Sequence, residues 1–108
     1  MSAEMYLRTI CPDWKNGPVY EINTLLRNQR PSQWLIYIAN KRCRGVLKLS
    51  QKRAYFHNNY FSDVGESITW LVYLYEQHGV EINPFGRLVY FEEDPSSLYP
   101  VELLFRLN

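Results

Sequence analysis

Cysteine and histidine are scarce, with two of each in 108 residues, and no CxxC, HxxxH or HExxH pattern links them. Zinc sites and redox dithiols are built on such close spacings, so no metal centre and no cofactor are expected. Cys11 and Cys43 stand far apart and are expected to stay reduced and packed. Glycines are few and single: Gly45, Gly65, Gly79 and Gly86 lack the clustering and the Lys-Ser/Thr of a phosphate-binding loop, so nucleotide-dependent chemistry is not expected. Long apolar runs are absent too, because Gln33, Arg44, Lys48 and Glu76 interrupt every candidate, and no membrane span is predicted. The opening Met-Ser-Ala-Glu-Met-Tyr-Leu-Arg has neither a basic n-region nor an apolar h-region, which points to the cytoplasm.

Apolar and aromatic residues are plentiful. Hydrophobic residues make up 46% of the chain, with nine tyrosines, five phenylalanines and three tryptophans. That is enough apolar surface for a core, and the length fits a single domain over residues 1–108. The net charge of +1 conceals an imbalance. Residues 1–62 hold ten Lys or Arg against three acids, and residues 63–108 hold two against eight. No acid occurs from Ile22 to Ser62. Two outcomes follow: basic and acidic strands neutralise each other side by side, or they form separate faces of which the basic one attracts phosphates or an acidic protein.

Local patterns predict helix, two or three strands, helix, two strands. Asn16-Gly17-Pro18 starts a helix carrying Val19, Ile22, Leu25 and Leu26, and Pro31 ends it. Gln33–Ala39 reads as a strand, Asn40-Lys41-Arg42 as a turn and Cys43–Ser50 as the returning strand, with Ala54–His57 as a short third. Asp63 and Glu66 form a capping box for a second helix that Gly79 stops. Strands Arg87–Glu92 and Val101–Leu107 follow, joined by an Asp94-Pro95-Ser96-Ser97 turn. The economical α+β architecture is a single antiparallel sheet of four to five strands with both helices on one face.

No catalytic constellation is spelled out, so a binding protein is expected rather than an enzyme. In the second helix Ile68, Leu71 and Tyr75 define an inward stripe, which turns Trp70 and Tyr73 outward with neighbouring Leu74, as anchors for a protein partner. Arg42, Arg44, Lys48, Lys52 and Arg53, or else Glu92, Glu93 and Asp94, would steer association. The favoured expectation is a small occluding inhibitor of the immunity, antitoxin or phage type, by analogy of size and build. The alternative is an RNA- or DNA-binding module using the basic and aromatic segment 42–61, where cations meet phosphates and rings stack on bases. A further alternative is a small metal-independent nuclease centred on His57, beside Lys52, Arg53, Tyr55 and Tyr60.

Overall fold

The computed structural model describes residues 1–37, 40–54, 59–61 and 67–107, with backbone alone for 59–61 and 67–72. The first element, helix α1 (Ala3–Ile10), was not expected from the sequence. Its start is nonetheless written there. The Ser2 hydroxyl accepts from the Met5 N–H at 3.2 Å, Glu4 sits in the first turn and Arg8 in the last, each complementing the helix dipole. Ala3, Tyr6 and Leu7 form its buried stripe. Helix α2 (Val19–Arg27) begins one residue later than predicted, with Pro18 as its extended cap, and buries Ile22 and Leu26 one turn apart.

Among the described residues eight strands follow in three antiparallel groups. Strands β1 (Ser32–Ile36), β2 (Lys41–Gly45) and β8 (Leu104–Arg106) form one sheet in the order β2-β1-β8. Strands β3 (Leu47–Arg53), β6 (Arg87–Phe91) and β7 (Asp94–Pro100) form another in the order β3-β6-β7. A two-stranded ribbon pairs β4 (Asn59–Phe61) with β5 (Ser67–Thr69), and helix α3 (Trp70–His78) packs on it. Two chain segments turn corners between the larger sheets: β2 runs into β3 through Val46, and β7 runs into β8 through a 3-10 turn at Val101–Leu103. The two larger sheets are therefore joined by continuous chain at two corners and share one core. Trp34, Ile36 and Leu104 enter it from the first sheet, Leu47, Leu49, Val89 and Phe91 from the second, and α1, α2 and Trp14 supply the remaining large side chains.

Trp34 sits at the centre with none of its surface exposed. Its indole meets Tyr6 edge-on at 5.2 Å and Phe91 at 6.1 Å, and Phe91 meets Tyr99 at 6.0 Å. Arg106 caps this line of rings, its guanidinium 5.3 Å from the Tyr6 centroid while Nε donates to the Ser32 hydroxyl.

The α+β class holds, but the single sheet does not. Three helices and two three-stranded sheets replace it because the segment predicted as one strand, Cys43–Ser50, bends at Gly45-Val46 and serves both sheets. The predicted turn at residues 94–97 is part of β7; the reversal lies at Glu92-Glu93, where Phe91 pairs with Asp94. Only three residues of the last predicted strand pair as one, since the polypeptide first makes the 3-10 turn. The helix predicted from Asp63 begins at Trp70, preceded by β5; Asp63 and Glu66 lie outside the described residues. Gly79 stops it as expected, with φ +65°, donating to the Tyr75 carbonyl at 3.0 Å. No helix among the described residues is long and apolar enough to cross a membrane.

Candidate functional site

The basic and acidic halves of the chain meet in the fold. Lys48, expected on a basic surface, is only 5% exposed and points its ammonium at Glu92, with Nζ 3.8 Å from Oε1. Its burial reflects the corner at Val46, after which Leu47, Lys48 and Leu49 are all covered and the simple alternation of faces is lost. The Glu93 carboxylate lies against Gly45. Asp94 titrates below the usual carboxylate range, mainly through hydrogen bonds with Ser97 and Ser96, with the Lys41 charge adding to them. At the other end of the molecule Glu4 pairs with Arg8 and Lys15, each at 3.1 Å. The five predicted basic residues thus fall in three places: Arg42 and Arg44 exposed on β2, Lys48 buried, and Lys52 with Arg53 at the far end of β3.

The outer face of the first sheet gathers a coherent set of side chains. Trp34 and Ile36 point into the core, so Gln33 and Leu35 point out. Register places Arg44 opposite Gln33, and Arg42 and Phe105 on either side of Leu35. Tyr37 follows β1 and stacks its ring edgewise on Phe105 at 6.3 Å. Arg42, Arg44, Tyr37 and Phe105 are all exposed, and neither arginine has an ion pair among the described residues. A depression of about 350 Å³, lined by Pro31, Gln33, Arg44 and Leu107, opens at the edge of this face.

Helix α3 presents a different surface from the one predicted. Leu74 is 2% exposed and belongs to the interior, whereas Tyr75, expected to be buried, is 60% exposed. The predicted inward stripe takes its phase from Ile68, and Ile68 lies in β5 rather than in the helix, so it does not share the helix's face. Tyr73 is half-buried with its ring 5.6 Å from that of His78. The side chain of Trp70, like the whole of His57, lies outside the described residues.

A pocket of about 490 Å³ lies between the start of α1, the loop after it and the ends of β3 and β6. Arg53 and Arg87 are direct cross-strand partners there, beyond an irregularity in the ladder after Leu49. Arg87 is 9% exposed, and its Nη1 donates to the Trp14 carbonyl at 3.0 Å; Arg53 Nη1 donates to the Phe85 carbonyl at 2.8 Å. Burial, and then the charge of Arg53, lower the Arg87 pKa, with Asp13 opposing them. Two acids line the same pocket. Glu4 is paired as above, and Glu102 accepts the Asn83 N–H at 2.7 Å. In the sequence Arg87 stands only as the first residue of a strand, because its pairing with Arg53 depends on a non-local register.

Cys11 and Cys43 are free, half-buried thiols packed against the core. Burial, more than any neighbouring charge, pushes the Cys43 thiol up; Lys41 pulls it down and Glu93 adds to the rise. Among the described residues no group of three or more His, Cys, Asp or Glu side chains is placed to hold a metal ion. Comparison with known proteins finds no family whose pattern the chain matches and no curated relative.

Proposed function

We propose that the protein is a non-enzymatic binding module that works by occlusion, laying the outer face of its first sheet on an acidic surface of a partner protein. The supporting observation is the exposed set Tyr37, Phe105, Arg42 and Arg44 around the half-buried Leu35, with no carboxylate paired to either arginine among the described residues. Tyrosine and arginine dominate interface hot spots because each combines broad contact area with directed donors. Exposed cations that no described carboxylate pairs are suited to the acids of another chain. The depression beside Gln33 and Arg44 gives a projecting side chain of the partner a place to seat. Elsewhere the acidic segment is engaged within the chain, Glu92 by Lys48 and Asp94 by its own serines, so steering falls to the basic side.

The test is affinity capture from nuclease-treated lysate with the wild-type chain and an Arg42→Glu/Arg44→Glu variant of unchanged fold. One stoichiometric protein retained by the wild type and lost by the variant is the expected result. Retention of the same protein by both chains would overturn the assignment of the face. Tight, steeply salt-dependent binding of single-stranded RNA or DNA through the same arginines would replace the protein partner with nucleic acid.

A further inference from the structure

Like charges directly opposite each other in an antiparallel ladder repel, and a buried guanidinium is normally matched by a carboxylate. Arg53 and Arg87 are such a like-charged pair, and Arg87 is buried without a salt-bridged carboxylate among the described residues. Each guanidinium spends Nη1 on a backbone carbonyl, Phe85 for Arg53 and Trp14 for Arg87, and neither has an ion pair among the described residues. Each carries five N–H donors, so several on both have no hydrogen-bond partner among the described residues. No carboxylate among the described residues is in salt-bridge contact with either arginine: Glu4 is held by Arg8 and Lys15, Glu102 accepts the Asn83 N–H, and Asp13 acts on Arg87 only as a longer-range attraction.

We propose that this pocket is a binding site for a phosphate monoester, with Arg53 and Arg87 as the two groups that grip the phosphate. A phosphate monoester near neutral pH carries close to two negative charges and three acceptor oxygens to share between two guanidiniums, whereas a carboxylate offers one charge and two oxygens to the same pair. Planar guanidinium forks suit phosphate oxygens in pairs, a geometry lysine cannot reproduce. The volume of about 490 Å³ falls in the range of small-molecule sites, and exposed Phe85 lines the same pocket, where it offers an apolar surface to the organic part of the ligand. Backbone bonds to Trp14 and Phe85 fix both guanidiniums in place before any ligand arrives. The site is separate from the proposed docking face and stands without it.

Titration calorimetry with phenyl phosphate, inorganic phosphate and benzoate, at matched ionic strength in chloride, tests the assignment. Phenyl phosphate is expected to bind at least tenfold more tightly than benzoate, and Arg53→Gln to weaken it at least tenfold while the circular dichroism spectrum is unchanged. Inorganic phosphate binding as tightly as phenyl phosphate would also support the phosphate grip, with the organic part making no contact. Benzoate equal to phenyl phosphate, no binding of either phosphate, or an unchanged affinity in Arg53→Gln would overturn it. Arg87→Gln is the parallel variant; because Arg87 also holds the Trp14 carbonyl, the half-buried Arg53 decides the matter if that second chain does not fold.

Discussion

The side-chain amide of Asn23 closes two hydrogen bonds on the backbone of Leu49: Oδ1 accepts the Leu49 N–H at 2.7 Å and Nδ2 donates to the Leu49 carbonyl at 2.9 Å. β3 is the edge strand of its sheet, and an edge carries unpaired donors and acceptors that another chain can use. One residue of α2 therefore does what a neighbouring strand would do, while Ile22 and Leu26 of the same helix fill the core. Asn23→Ala is expected to cost about 1–3 kcal/mol in urea unfolding, because it leaves two part-buried backbone groups without partners. Asn23→Asp should recover little of that loss, since it keeps the acceptor but sets a carboxylate against a carbonyl.

Trp34 carries the core in a way that two substitutions separate. Its indole N–H has no hydrogen-bond partner among the described residues, so the contribution seen there is through shape and ring contacts. Trp34→Ala is expected to lose about 3–5 kcal/mol by opening a cavity. Trp34→Phe removes no hydrogen bond and should lose less than half of that, measured on the same denaturant curve.

Two glycines respond to alanine in opposite ways. A Cβ at Gly45 meets the Glu93 carboxylate, which is the free end of an exposed side chain and can swing aside, so Gly45→Ala is expected to stay within about 1 kcal/mol of wild type. Gly79 has open space around it but φ +65°, and Gly79→Ala should cost about 1–2 kcal/mol from the backbone alone. Thermal melts of the two variants check the reversal.

Alkaline pH should destabilise the fold through its core phenols. Burial raises the pKa of Tyr6, with Arg106 opposing; burial is also the main cause for Tyr99, where a hydrogen bond with Ser97 opposes it and Cys43 and Asp94 add to the rise. The folded state then holds these protons more tightly than the unfolded chain. As pH rises past about 10, the unfolded chain ionises first and stability falls. Unfolding free energies at pH 9 and pH 11 should differ less in Tyr6→Phe than in wild type.

Short-range features were legible in the sequence. The β1–β2 hairpin follows from an apolar run and a polar turn, Gly79 stops its helix, and the segment from Arg87 has the composition of a strand. Helix α1 carries its own signals in Ser2 and the spacing of Ala3, Tyr6 and Leu7, but at eight residues it is too short for periodicity to set it apart. What alternation could not show was the corner at Gly45-Val46, which buries Lys48 and splits one predicted strand between two sheets. The Arg53 and Arg87 pairing was out of reach for a related reason: it joins residues far apart in the chain across an irregular ladder. Charge counting found the imbalance between the halves but not which cations fold against acids. Lys48 does, and among the described residues Arg42 and Arg44 do not.

The docking face is tested most directly by site-specific photo-crosslinking, with a photoreactive phenylalanine placed in turn at Tyr37 on the proposed face and at Tyr20 on exposed α2. In cells, Tyr37 is expected to yield one dominant cross-linked protein that Tyr20 does not. Equal products from both positions, or a cross-link to RNA or DNA at Tyr37, would contradict a protein-occluding role for the first sheet.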